Sequence, residues 1–113
     1  MKTITGWLMC RPGTRDAFFT LMAPLVAATR QEPGCRVFEY HCTDRNADEI
    51  IMLEVFDNAE AHEVHRRLDH MFEMQAIVRR LLVHIKLLEV VSDNVQQFDL
   101  DLIAHPLGPY NPD

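Results

Sequence analysis

The order of hydrophobic and polar residues along the chain predicts four strands and a first helix. Four stretches show the alternation or the continuous apolar run that is typical of strands, and they cover residues 3–10, 35–42, 49–56 and 83–91. Between the first two, apolar residues recur at helical spacing from Thr14 to Gln31, which predicts an amphipathic helix. Pro24 lies inside it and predicts a kink or a break near Met22, because proline removes a backbone donor.

The segment after the third strand predicts a second helical region in two pieces. Helical spacing covers residues 58–68 and 69–82, with a break at Leu68–Asp69, where Asp69 can cap the second piece. The order is then strand, helix, strand, strand, helix, strand, which is the ferredoxin-like βαββαβ pattern of the α+β class. Such an antiparallel sheet carries its helices on one face. Its other face is therefore expected to pack on a second copy in a homodimer.

The second and third strands are predicted to form an antiparallel hairpin, because the segment between them is polar and rich in turn-forming residues. A turn centred near Asn46 sets the register, and a shift of one residue would turn every side chain to the other face. In that register one face of the hairpin carries Phe38, Tyr40, Met52, Glu54 and Phe56.

Residues 1–92 are predicted to form one domain, followed by a C-terminal tail at 93–113. A chain of 113 residues has about the size of a single domain. In the tail, the stretch FDLDLI alternates apolar and acidic residues, and HPLGPYNPD contains three prolines. This pattern predicts an additional edge strand and then an extended arm. We expect the arm to contact the partner subunit, and its own subunit is the alternative.

Composition and charge exclude several kinds of partner and chemistry. The formal net charge of −6 disfavours nucleic acid, and no apolar run approaches the ~20 residues that cross a membrane. The three cysteines are odd in number and form no C-x-x-C pair, so they are interpreted as reduced thiols of a cytoplasmic protein. Ser92 is the only serine and no glycine-rich phosphate loop is present, so neither serine chemistry nor a nucleotide cofactor is predicted.

Three histidines lie close together in AEAHEVHRRLDHMF, residues 59–72. His62 and His65 can share a helix face, while His70 lies beyond the predicted break. The spacing lacks the further ligands of a zinc site, so no metal is predicted. Proton transfer is favoured, because imidazole titrates near neutrality and Glu54 is a nearby carboxylate that could orient one of them. The alternative for each histidine is solvation or capping of a helix end.

The stretches PGCRVFEYH, IIMLEVF and FDNAEAHEVHRRLDHMF occur in this order along the chain. Together they resemble the antibiotic biosynthesis monooxygenase superfamily, including its quinol-monooxygenase-like and autoinducer-processing members, over about residues 3–91. In that family the third strand typically ends in an E-V-W type sequence, and an A-x-x-x-H-x-x-x-x-H stretch follows. The corresponding residues here are Glu54, Val55, Phe56, Ala61, His65 and His70.

The resemblance implies a dimeric α+β barrel with one pocket per subunit between the sheet and the helices. Several relatives oxidise polycyclic phenols or quinols with dioxygen and without metal or flavin, and others degrade haem or isomerise small phosphorylated sugars. This sequence departs from the pattern at Phe56, where tryptophan is usual. Thr5, Gly6 and Trp7 stand where haem-degrading relatives have an asparagine, so haem degradation is disfavoured. Gly6 either leaves space for a ligand or allows close strand packing.

The resemblance and the histidines together predict a cofactor-independent monooxygenase that deprotonates a phenolic or quinol-type aromatic for reaction with dioxygen. The catalytic base is His65 or His70, and Glu54 is expected to orient it. The predicted substrate-binding residues are Phe56, Trp7, Tyr40, Met52 and His62. One alternative is an isomerase or lyase that uses the same acid–base groups on a small carbonyl compound. The other is a non-catalytic dimer that binds a small ligand.

Overall fold

Seven elements follow one another in the order that the sequence predicts. The computed structural model describes residues 1–112, and its elements are β1 (Lys2–Cys10), α1 (Arg15–Arg30), β2 (Cys35–Cys42), β3 (Glu49–Phe56), α2 (Ala59–Arg66), α3 (Asp69–Leu81) and β4 (Leu82–Val91). Helix α2 ends at Arg66 and α3 begins at Asp69, so the predicted break at Leu68–Asp69 is confirmed. None of the helices in the described residues is long and apolar enough to span a membrane.

Helix α1 runs without interruption from Arg15 to Arg30 although Pro24 lies inside it. Of the predicted kink or break near Met22, the break is therefore wrong, and the kink stays a prediction. Proline removes one backbone hydrogen bond, but buried side chains anchor the helix on both sides of it. These side chains are Phe18, Met22, Leu25 and Thr29. Burial of this face stabilises the helix by more than the single lost hydrogen bond destabilises it.

The four strands form one antiparallel sheet in the order β2-β3-β1-β4. Phe38 lies opposite Glu54 and Tyr40 lies opposite Met52, which confirms the predicted register of the hairpin. Successive side chains of a strand point to opposite faces. These four side chains therefore share one side of the sheet, and it is the side that the helices cover.

The helix-facing side of the sheet carries the hydrophobic core. On β1 its buried residues are Ile4, Gly6, Leu8 and Cys10, which alternate with more exposed neighbours. A Cβ atom on Gly6 would meet the backbone oxygen of Lys86 and would lie 2.7 Å from the Leu87 Cδ2 atom. Of the two roles predicted for Gly6, the structure therefore supports close strand packing.

The opposite side of the sheet is left uncovered by the helices of the described chain. It carries apolar side chains of three strands, among them Ile51, Leu88 and Val90, which are 37%, 52% and 57% exposed. The predicted α+β layering, with helices on one face only, is confirmed. A homodimer formed through the other face stays a prediction.

Residues 92–112 follow β4 without pairing as a strand with any other part of the described chain. The stretch predicted as an additional strand contains a turn instead. In that turn the Asp101 Oδ1 atom accepts hydrogen bonds from the backbone N–H groups of Ile103 and Ala104, both at 3.0 Å. The additional strand is therefore not formed within the single chain. Docking of the arm on a partner subunit stays a prediction, and Asp113 lies outside the described residues.

Candidate active site

A cavity of about 210 Å³ lies between the helix-facing side of the sheet and helices α2 and α3. Much of its wall is apolar and includes Ile4, Leu8, Met52, Met71, Met74, Val78 and Leu87. Polar groups reach it from α2, with His62 and His65, and from the strands, with Glu54 and Glu89. Pockets for drug-sized ligands have volumes of about 300–1,000 Å³. This smaller cavity therefore suits a small molecule.

Two histidines and a glutamate converge beside this cavity. His65 lies in the last turn of α2, His70 in the first turn of α3, and Glu32 in the connection between α1 and β2. The Glu32 Oε2 atom lies 2.8 Å from His65 Nδ1 and 2.7 Å from His70 Nε2. The side chains of His65 and Glu32 are 1% and 8% exposed. The break between the two helices lets both imidazole rings turn toward the same carboxylate oxygen.

Glu32, and not Glu54, binds the two histidines. The prediction that Glu54 orients the catalytic histidine is therefore corrected, because Glu54 makes no hydrogen bond to a histidine of the described residues whereas Glu32 binds both. Glu32 and His65 are 33 positions apart, so no local spacing links them. One signal was available in the sequence. Glu32 lies just after the C-terminal end of α1, where the helix dipole disfavours an acidic side chain.

Two phenylalanines pack against the imidazole rings. The ring centroid of Phe56 lies 5.1 Å from that of His62 and 5.2 Å from that of His65. The centroid of Phe38 lies 5.5 Å from that of His65. Phe56 is fully buried and is not among the residues that line the cavity. Phe56 was predicted to form part of the pocket wall. That prediction is corrected, because Phe56 packs beneath the two histidines.

The other predicted residues divide between the cavity and the opposite face of the sheet. Those that line the cavity are Tyr40, Met52, His62 and His65. His70 does not line it, although it binds Glu32. Trp7 lies on the uncovered side of the sheet, where the Lys86 Nζ atom is 5.6 Å from the centroid of its ring. The prediction that Trp7 walls the pocket is wrong, because side chains alternate along β1 and Trp7 has the outward parity.

Glu54 forms a second polar part of the cavity wall. Glu54 of β3 lies opposite Ile4 of β1, and on the other edge of β1 Ile4 lies opposite Glu89 of β4. Burial and the Glu89 carboxylate raise the pKa of Glu54 to about 7, although the Lys2 ammonium group acts in the opposite direction. Glu54 therefore holds a proton in a pH range where an exposed carboxyl group is ionised.

His62 is kept uncharged by similar surroundings. Burial lowers the pKa of His62 to about 4, and the positive charge of Lys2 contributes to this. The Nδ1 atom of His62 is buried and has no hydrogen-bond partner within residues 1–112. At neutral pH His62 is thus a neutral imidazole whose Nδ1 atom is buried and unpaired within residues 1–112.

Replacing Glu54 with glutamine is expected to stabilise the protein above neutral pH relative to the wild type. In the folded state Glu54 keeps a proton that the unfolded chain releases, so the wild type loses stability as the pH rises from 4.5 to about 7. Glutamine cannot ionise, so the variant should gain on the order of 3 kcal/mol relative to the wild type across that range. Urea unfolding of both proteins at several pH values measures the difference.

The matched control for this variant is Glu73→Gln, at an exposed position of α3. Its free energy of unfolding should stay within about 0.5 kcal/mol of the wild-type value at each pH. A difference between Glu54→Gln and the wild type that did not change with pH would contradict the prediction.

Glu32, His65 and His70 also have the donor set of a divalent metal site. Their ligand atoms lie within 4.8 Å of one another, and histidine and carboxylate ligands suit zinc or iron. Metal–ligand bonds of about 2.0–2.2 Å place neighbouring ligand atoms roughly 2.8–3.1 Å apart at octahedral angles and roughly 3.3–3.6 Å apart at tetrahedral angles. The Glu32 Oε2 atom is 2.8 and 2.7 Å from the two nitrogens. These distances are shorter than a tetrahedral site requires and are those of two hydrogen bonds to one acceptor, the arrangement that proton transfer uses.

Comparison with known proteins shows which family the chain resembles. The family described as antibiotic biosynthesis monooxygenase matches residues 2–77, a range that includes Glu32, Glu54 and the three clustered histidines. A presumptive monooxygenase of Mycobacterium tuberculosis is 30% identical over 74 residues, which cover 66% of this chain and 72% of that protein.

Solved structures share the fold at lower sequence identity. The structure of the same Mycobacterium tuberculosis protein has a TM-score of 0.74 at 23% identity and covers 85% of this chain and 98% of that chain. A presumptive antibiotic biosynthesis monooxygenase of Deinococcus radiodurans has a TM-score of 0.76 at 19% identity, covering 88% and 99%. A Pseudomonas aeruginosa protein has a TM-score of 0.72 at 23% identity, covering 80% and 92%. At these identities the likeness establishes the α+β ferredoxin-like fold alone.

Proposed function

Because the chain belongs to the antibiotic biosynthesis monooxygenase family, we propose that it is an oxygenase. Its proposed substrate is a small phenolic or quinol-type aromatic, which it oxidises with dioxygen and without a cofactor. One observation carries the proposal. The His65 imidazole is buried, is bound to the Glu32 carboxylate and borders an apolar cavity that suits a small molecule. We further propose that the active form is a homodimer packed through the uncovered side of the sheet, and light scattering in solution would measure its mass.

His65 is the proposed general base. Glu32 is bound to Nδ1, so Nε2 is the ring nitrogen left for the substrate. In the neutral ring, Nδ1–H then donates to the Glu32 carboxylate, and Nε2 carries the lone pair that accepts the phenol proton. The negative charge of Glu32 stabilises the imidazolium that forms. His70 donates to the same oxygen and restrains the carboxylate, so it acts through Glu32.

Deprotonation makes an electron-rich phenol a donor that reduces dioxygen directly. Dioxygen forms a bond to a ring carbon, and the O–O bond then breaks. One oxygen atom stays on the ring as a quinone carbonyl. The other leaves as water with the two hydrogens of the phenol O–H and the ring C–H. The apolar side chains of the cavity wall, such as Met71 and Leu87, would exclude bulk water from the anion.

Oxygen uptake by the chelator-treated protein, with a panel of phenols and quinols, tests the proposal. We expect at least one substrate to consume one dioxygen per ring, to give a quinone, and to react at the same rate before and after chelation. Absence of uptake across the panel would contradict the oxygenase function. Uptake that is lost on chelation and restored by a divalent metal would contradict cofactor-free chemistry and would favour a metal at Glu32, His65 and His70.

A second candidate function is an isomerase or lyase that acts on a small carbonyl compound. The observation that favours it is the presence of two proton-transfer groups in one cavity, the Glu54 carboxyl group, whose pKa is raised to about 7, and the His65 imidazole. Such a pair can take a proton from one carbon and return it to another atom without consuming dioxygen. Product formation from a carbonyl substrate in the absence of oxygen would distinguish this function from the first.

A further inference from the structure

The Glu32–His65–His70 cluster combines parts of the chain that only the fold brings together. Glu32 precedes β2, whereas the two histidines flank the break between α2 and α3. Glu32 Oε2, His65 Nδ1 and His70 Nε2 all lie within 4.8 Å of one another. The sequence predicted no metal because the histidine spacing supplies no further ligand nearby, and Glu32 is 33 positions away from His65. The structure therefore assembles a set of ligands that no local spacing indicates.

Two imidazole nitrogens and one carboxylate oxygen suit a divalent first-row metal ion. Glu32 Oε2 is 2.8 Å from His65 Nδ1 and 2.7 Å from His70 Nε2, close to the roughly 2.8–3.1 Å between ligand atoms at octahedral angles. His70 is the least enclosed of the three, since its side chain is 19% exposed. Its ring can therefore move outward to admit an ion, while the buried Glu32 and His65 keep their positions.

We propose that Glu32, His65 and His70 bind a divalent first-row metal ion, and that the bound ion inactivates the His65 base. The ion replaces the two N–H hydrogen bonds to the Glu32 carboxylate. It is an inhibitor of the proposed reaction and not a cofactor for it. Binding itself does not depend on the proposed function, and only the loss of activity rests on it.

The loss of activity follows from the chemistry of a neutral imidazole ring, which carries a proton on one of its two nitrogens. In the proposed reaction the proton is on His65 Nδ1 and points to Glu32, so the Nε2 lone pair faces the substrate. A metal ion bound at Nδ1 uses the lone pair of that nitrogen, and the proton moves to Nε2. The resulting Nε2–H group cannot accept the phenol proton. The charge of the ion also disfavours a second proton on the ring.

The metal ion is placed beside the cavity and not inside it. His65 lines the cavity, but Glu32 and His70 do not. Because His70 is the most exposed member of the cluster, an ion enters from its side and leaves the cavity open to substrate. The ion is therefore expected to lower kcat in proportion to its occupancy, while KM stays unchanged.

Titration calorimetry with Zn²⁺ tests the site in tag-free protein that has been treated with a chelator and then freed of it. The wild type should bind one ion per subunit, because no other group of three potential ligands in residues 1–112 lies as close together. Glu32→Gln and His70→Ala each remove one ligand and should weaken binding by at least about tenfold, since loss of a second-shell partner alone costs about 10–100-fold. The matched controls are Glu73→Gln on α3 and His105→Ala in the tail, both at exposed positions, which should bind Zn²⁺ as the wild type does.

Absence of Zn²⁺ binding, or equal affinity in the wild type and in both ligand variants, would overturn the inference. Circular dichroism checks that the variants fold. His70→Ala changes the most exposed position of the cluster, so it decides the result if Glu32→Gln does not fold.

Initial rates of oxygen uptake test whether the bound ion inactivates His65. With a substrate that the wild type oxidises, saturating Zn²⁺ should lower kcat by about 10²-fold or more, the contribution of a general base, and chelation should restore it. An unchanged or increased rate with the site occupied would overturn the inhibitory role. Zn²⁺ binding at the cluster without oxidation of any phenol or quinol would contradict the proposed function but support the metal site. Oxidation without Zn²⁺ binding would do the reverse.

Discussion

Replacing His65 with alanine is expected to lower kcat/KM for a phenolic or quinol-type substrate by about 10²–10⁴-fold, the usual contribution of a general base. His65 is the member of the Glu32–His65–His70 cluster that both lines the cavity and is fully enclosed. Without its imidazole, the substrate proton has no acceptor at the cavity wall. The anion that reacts with dioxygen would then form only with water as the base. Initial rates of oxygen uptake over a range of substrate concentrations measure the loss.

The matched control for this variant is Glu73→Ala, because Glu73 is exposed on α3, does not line the cavity and lies away from the side of the sheet that is proposed to form the homodimer. Its oxygen uptake should equal that of the wild type.

Glu32→Gln keeps the size of the side chain but removes the charge that stabilises the imidazolium, so it should lower kcat without abolishing substrate binding. Full activity of His65→Ala together with loss of activity in His70→Ala would refute His65 as the base and assign that role to His70.

Replacing Phe56 with alanine is expected to lower the free energy of unfolding by about 3–5 kcal/mol, as for other buried phenylalanines. Phe56 is fully buried at the end of β3, and its ring packs against both His62 and His65. Alanine would leave a cavity beneath the two imidazoles, and the transfer of the ring out of water would be lost. Urea unfolding at one protein concentration measures the change.

Phe72→Ala is the matched control for the stability experiment. Phe72 is 67% exposed on α3, so its replacement should change the free energy of unfolding by no more than about 0.5 kcal/mol. Phe56→Leu keeps most of the apolar volume and should cost less than about 1.5 kcal/mol. An equal loss of stability in Phe56→Ala and Phe72→Ala would contradict the role assigned to Phe56.

The fold could be predicted in outline because its signals are local. The turn-rich segment near Asn46 determined the hairpin register, and the capping residue Asp69 marked the break between the two helices. The break near Met22 was predicted wrongly because that prediction also used a local signal alone. A local rule for Pro24 does not include the burial of the helix face on both sides of it.

The site could be predicted only in part. His65 and His70 lie close together because they flank one helix break, which the sequence indicates. Trp7 was placed on the wrong face because β1 is apolar on both sides, with Leu8 pointing inward and Met9 outward, so alternation in that strand does not identify the face that is covered. The predicted strand in the tail requires an edge to pair with, and within the described residues it pairs with neither edge strand of its own sheet, β2 or β4.

The sequence by itself determined the order of the elements, the sheet face shared by Phe38 and Glu54, and the grouping of the histidines, because periodicity, turns and caps act over a few residues. Only the tertiary structure decided that Glu32 binds the histidines and that Glu54 lies unpaired on the wall of the same cavity. Both outcomes depend on the packing of elements that are far apart in the chain. The free energy of that packing belongs to the whole fold and is not encoded in any single segment.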